Sequence, residues 1–284
     1  MKRKLFCEIS PLTYKLSVEK QILKRRARNI STRQKFASFK EGKLEYVEYR
    51  HNSLIRRKLG NVDPKLQDNK AVNLGLATPK ITNIIIKPGE TFSFWHLVGR
   101  PSIKNGYKEG LTISVGKPTK GTGGGLCQFS NLIHWMILHT PLDIVEHHHH
   151  DHFDLFPDYN RQIPFGTGTS ILYNYLDYRF KNNTDITYQL ITYTTDEYLC
   201  GEIRTNKIQP NKYHIVVEDE FFSKEDDGVY RNSKIYRKIV DKKSGNTLTN
   251  ELIKTNHAKI CYEPDNLELV DMRKTYSINK HKLY

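Results

Sequence analysis

No stretch of the sequence approaches the roughly 18 consecutive apolar residues of a membrane span. No secretion signal opens it either: Met1–Lys4 is basic, but Leu5–Leu16 is interrupted by Glu8, Ser10, Pro11 and Lys15. We therefore expect a cytoplasmic chain, touching the inner membrane face at most through its basic start. The 4 cysteines, Cys7, Cys127, Cys200 and Cys261, form no CxxC pair. That spacing argues against a disulfide framework and suits isolated thiols in a reducing compartment. There is no Walker loop and no dinucleotide fingerprint, because Gly121–Gly125 lacks both the following Lys-Ser/Thr and the required spacing. Apolar content, at 37%, is below the usual share, which predicts a large polar surface.

What is abundant is positive charge and aromatic rings. Net charge is +14, and residues 1–70 hold 19 Lys and Arg against 7 Asp and Glu. Such a segment suits an anionic lipid, wall polymer or nucleic acid, but no nucleic-acid reader motif accompanies it, so nucleic acid is not an expected partner. The 17 Tyr and 12 Phe argue against disorder. Helical spacing predicts a helix from Pro11 to about Ser38, a second over Leu44–Lys58, and a third over Lys65–Ile81. Ile84–Ile86 and Leu111–Val115 read as short strands, Gly116–Gly125 as a glycine-rich loop, and Cys127–His139 as an apolar helix. Leu142–Val145, Ser170–Tyr175, Tyr178–Lys181 and Ile186–Thr194 read as strands, and the last 80 or so residues as antiparallel β-structure. The expected class is α+β, a mixed or antiparallel sheet packed against helices. The expected organisation is a basic helical region over 1–64, a core domain over 65–195 and a β-rich extension over 196–284.

The chemistry concentrates at Gly121-Thr122-Gly123-Gly124-Gly125-Leu126-Cys127-Gln128. Repeated glycines mark unusual backbone angles or close approach. A thiol directly after them sits in the first turn of a helix, where free N–H groups favour a thiolate and can hold an oxyanion. Cys127 is thus a candidate nucleophile, Gln128 a candidate oxyanion donor, and Gly123, Gly124 and Gly125 candidate binding backbone. Further on comes Glu146-His147-His148-His149-His150-Asp151-His152. In extended geometry, period two puts His148 and His150 on one face and His147 and His149 on the other. Either His148 or His150 is the candidate base, oriented by Asp154, Asp158 or Asp177. The run with its acidic neighbours also suits Zn, Ni or Cu chemically, but it matches no spaced zinc signature. We assign no metal and no cofactor. Trp95, Arg100 and Arg161 are candidate binding residues, the arginines for a carboxylate.

Residues from about 71 to 183 resemble the VanW-like family. The resemblance is carried by Asn73–Ala77, Ile84–Phe94, Val98-Gly99-Arg100 and Gly106-Tyr107-Lys108-Glu109. It continues through Gly123–Ser130, through Glu146 with His148 and His150, and through Asp177–Asn182. Where many relatives carry Gly-Arg-Asp, this chain has Asn160-Arg161-Gln162, so an Asp-based triad is not implied. The resemblance implies an accessory part in vancomycin resistance and names no reaction. Relatives outside the cell usually carry an anchor and extra modules, neither of which is expected here. Two readings stay open. One is a Cys–His hydrolase or transferase acting on an amide of a peptidoglycan peptide or precursor. The other is a non-catalytic accessory protein recognising a wall precursor or a partner protein.

Overall fold

The computed structural model describes residues 5–57, 63–114, 117–149, 152–158, 162–173, 175–264 and 267–271. Helix α1 (Pro11–Ser31) starts where Ser10 Oγ accepts the Thr13 N–H at 3.2 Å, with Pro11 in the first turn. Strand β1 (Tyr46–Leu54) follows, where the charge-interrupted apolar pattern had suggested a second helix. β-Formers such as Tyr46, Val47 and Tyr49 are recruited by a distant partner, in register from Tyr46↔Thr205 to Leu54↔Tyr198. Helix α2 (Pro64–Ile81) is capped by Asp63 and buries Leu66, Leu74, Ala77 and Ile81, with Pro79 in its last turn.

The chain continues through β2 (Ile84–Ile86), β3 (Thr91–Ser93) and the short α3 (Phe94–Val98). Next, β4 (Glu109–Ser114) and β5 (Lys117–Thr122) form an antiparallel hairpin, so most of the expected glycine-rich loop is strand. Helix α4 (Cys127–Ile137) comes next, then β6 (Asp143–Glu146), β7 (Phe153–Asp154), β8 (Arg179–Lys181), β9 (Tyr188–Thr194) and β10 (Tyr198–Thr205). The expected strand at Ser170–Tyr175 is replaced by a tight turn closed by the Leu172–Leu176 bridge. The end of the chain forms β11 (Asn211–Glu225), β12 (Gly228–Asp241), β13 (Thr247–Ile260) and β14 (Leu269–Asp271).

This is an α+β fold. One antiparallel sheet runs β1-β10-β9-β2, a second runs β3-β8-β6, and a third runs β14-β11-β12-β13-β7. The first sheet takes β1 from before residue 65, β2 and β9 from between 65 and 195, and β10 from beyond 195. Helix α4 buries Phe129, Leu132, Ile133, Met136 and Ile137, each full burial stabilising by about 1.5–3 kcal/mol. It approaches β10 closely because Gly201 has no side chain: a Cβ there would lie 2.6 Å from Met136 Cε. This packing fixes the start of α4, and therefore Cys127, against the far end of β1.

Candidate functional site

The glycine turn is a close-packed joint. Gly123 and Gly125 have φ of 77° and 90°, the region glycine favours. A Cβ on Gly124 would fall 2.2 Å from the Gly110 carbonyl carbon, and one on Gly125 2.2 Å from Lys70 Cγ. Fully buried Asn73 clamps the joint. Its Nδ2 donates to Gly124 O at 2.9 Å and Lys108 O at 3.1 Å, while its Oδ1 accepts the Lys108 N–H at 2.8 Å. Gly125 N–H donates to Leu111 O at 2.9 Å. The turn thus delivers Cys127 as the first residue of α4.

Cys127 opens onto a cavity of about 870 Å³, within the usual range of ligand sites. The side chain keeps partial exposure at the wall, but its sulfur sits deep enough that burial pushes the thiol up from its ordinary value. The backbone N–H groups of Ile171 and of Cys127 itself oppose this without cancelling it. A helix start was expected to depress the thiol; here desolvation outweighs it. Among the described residues, no imidazole is hydrogen-bonded to Cys127. Gln128 also lines the cavity, but its Nε2 donates to Ser53 Oγ and Leu54 O, both at 2.8 Å, tying α4 to β1.

The histidines alternate as period two requires, and the face that meets the cavity is that of His149, not that of the candidate base His148. His148 Nε2 lies 3.2 Å from Glu146 Oε1, away from the cavity. Glu146 is half-buried, which raises its pKa, yet Arg25, the Asp177 N–H and His148 together hold it below the usual range. Asp177 in turn accepts from Ser93 Oγ at 2.6 Å, Trp95 N–H at 3.1 Å and Arg179 Nε at 2.7 Å. Glu146 and Asp177 therefore build a structural cluster beneath α1. On the other face, His147 Nε2 lies 2.9 Å from Gly168 O and its ring stacks on buried His134 at 4.3 Å. His149, whose Nδ1 is 3.2 Å from Lys254 Nζ, lines the Cys127 cavity. The register of β6 against β8, with a shift between Ile144 and Glu146, sets this phase.

The remaining candidates fall in several places. Asp154 lines the cavity but is engaged by Arg231 at 3.3 Å and the Tyr262 hydroxyl at 3.0 Å; Asp158 pairs with the same Arg231. Trp95 is a core residue, its Nε1 donating to Leu176 O at 2.9 Å. Arg100 reaches Glu19 of α1 at 2.6 Å rather than the cavity. His150 and Arg161 lie outside the described residues. Among the described residues no three His, Cys, Asp or Glu side chains converge on one point as metal ligands.

Several further residues line the cavity. Lys70 on α2 packs its methylenes under Gly125 and lines the cavity. Burial first, then the charges of Arg57 and Arg56, pull it down to about 7, and it makes no ion pair among the described residues. Arg56 and Arg57 follow β1 on the same side. A lysine among polar helix residues carries no local mark of burial. Asn131, four residues after Cys127 and so on the same helical face, was findable by spacing. Its Oδ1 accepts the Thr169 N–H at 2.6 Å and pins the opposite wall to α4. Phe153, Phe156, Ile163 and Phe165 add apolar lining to the cavity.

A family model described as VanW like protein matches residues 69–204, from α2 to the end of β10. The vancomycin B-type resistance protein VanW of Enterococcus faecalis is 36% identical over 230 residues, covering 81% of this chain and 83% of that protein. The protein YoaR of Bacillus subtilis is 30% identical over 117 residues, 40% of this chain and 36% of that protein. No solved structure gives a significant match.

Proposed function

Since the chain belongs to the VanW-like family, we propose that it acts as an accessory protein of vancomycin resistance that binds a cell-wall peptide or precursor in the cavity beside Cys127. The observation carrying this reading is the make-up of the cavity itself. Its lining combines cationic side chains (Lys70, Arg57 and Arg56, the last also paired with Asp68 at 2.7 Å) with apolar and aromatic ones (Phe153, Phe156, Phe165). Such a lining suits an extended peptide whose carboxylate meets the cations while its side chains lie on the rings. A lysine that is near half-protonated at neutral pH takes up a proton when an anion arrives, so binding should tighten as pH falls through 7.

The test is calorimetry with a soluble peptidoglycan stem peptide bearing a free C-terminal carboxylate, with its C-terminal amide as control. The free acid should bind, the amide more weakly, and Lys70→Met should reduce the difference. Equal affinity for acid and amide, or no binding to the wild-type chain, would reject the reading.

A second reading, amide or ester transfer with Cys127 as nucleophile, is favoured by one observation: the thiol opens α4 inside a ligand-sized cavity shared with His149. It requires a base to take the thiol proton before attack, since burial disfavours the thiolate.

A further inference from the structure

We propose that α1 is a membrane-surface helix that lies flat on an anionic bilayer and holds the folded core against it. Leu12, Leu16, Leu23 and Ile30 are each more than half exposed, at 66%, 53%, 63% and 79%. At about 100° per residue they fall within about 40° of one another, forming a single stripe. The stripe extends into the preceding turn, where Leu5, Phe6 and Ile9 are also exposed. Exposed cations border it on both sides, Lys15 and Arg26 on one, Lys20 and Lys24 on the other. This is the section of an interfacial helix, whose apolar stripe enters the acyl boundary while lysine and arginine reach the headgroups.

The opposite face of α1 is already used. Ile22 is buried, Arg25 pairs with Glu146, and Asn29 Oδ1 accepts from Arg179 at 3.0 Å. The stripe is therefore not the face that α1 presents to its own core. Charge decides between a bilayer and a second copy of the chain. In a coiled coil with Leu16, Leu23 and Ile30 as one seam position, the other seam position would fall on Leu12, Glu19 and Arg26. Charges at two of those three positions disfavour a helical dimer. On a bilayer Arg26 is favourable, and Glu19 is neutralised by Arg100 at 2.6 Å. Additional cations at Lys2, Arg3 and Lys4 precede the helix in the sequence.

The experiment is vesicle co-sedimentation of the full chain. One set of vesicles is phosphatidylcholine alone, the other phosphatidylcholine with about a third phosphatidylglycerol. The chain should pellet with the anionic vesicles and not the neutral ones, and added salt should release it. Lys20→Gln with Lys24→Gln should lower partitioning by about fivefold per charge removed. Leu16→Glu with Leu23→Glu should abolish it. All four positions are exposed, so unchanged thermal unfolding verifies that the variants are folded. No pelleting on anionic vesicles, or pelleting that the Glu variants do not change, would overturn the proposal. So would a concentration-dependent dimer that Leu16→Glu with Leu23→Glu dissolves, because the stripe would then be covered by a second copy.

Discussion

The glycine turn and the histidine run both shape the Cys127 cavity, yet they are specified in opposite ways. At the turn, every position is held by contact: Gly124 against the Gly110 backbone, Gly125 over the Lys70 methylenes, Asn73 through three hydrogen bonds. Along the run, chemically identical side chains go to two environments. His148 joins a carboxylate cluster under α1, and His149 enters the cavity. Local chemistry dictates the turn. Strand register dictates the run, and a one-residue slip would exchange its faces.

Lys70, which links the turn to the cavity, should give the largest effect. The unfolded chain keeps this proton up to its ordinary 10.5, while the folded chain releases it near 7. Between those values the unfolded state binds more protons, so stability should rise with pH across that window. At about 1.4 kcal/mol per unit, the total is several kcal/mol. Lys70→Met keeps the packing under Gly125 and should remove that rise. Denaturant unfolding from pH 7 to 10 measures both chains, and parallel curves would show that Lys70 is hydrated in the fold.

The turn itself comes next. Gly124→Ala places a methyl group into fixed backbone and should cost about 3 kcal/mol. Gly89→Ala, at φ 81° but with nothing within 4 Å, should cost only the left-handed penalty of about 1–2 kcal/mol. Equal thermal shifts would mean that close approach is not what the turn requires.

The histidine side should respond more weakly. Arg25→Ala removes a partly buried ion pair but leaves Glu146 with Arg179 at 3.5 Å, for about 2 kcal/mol. It should also raise protease susceptibility within α1. The smallest stability effects, under about 1 kcal/mol, are expected for His148→Ala and His149→Ala. These two should separate by function: His149→Ala should weaken binding of the stem peptide, and His148→Ala should leave it unchanged. The reverse result would put His148 on the cavity.

Legibility followed the same divide. Helix α4 and the glycine joint were readable because an apolar period and a cluster of glycines are local signals. The α+β class followed from the alternation of apolar helices with short β-rich runs. β1 was misread as helix because its partner is β10, which no nearby residue announces. The cationic lining of the cavity went unseen for a related reason: Lys70 and Arg57 meet there only after α2 and β1 pack around the turn. The desolvation of the Cys127 thiol was not legible, because helix position is visible in sequence and burial depth is not.

Cys127 is where these arguments meet, and the pH dependence of its alkylation tests them most directly. Iodoacetamide labelling of each thiol can be followed by mass spectrometry across the pH range. Cys127 should label more slowly than exposed Cys261 at neutral pH, with a rate still climbing beyond the ordinary thiol value of 9.0. A Cys127 rate that levels off below about pH 7, faster than the other thiols, would show an activated thiolate. It would contradict the binding-pocket reading in favour of a nucleophile.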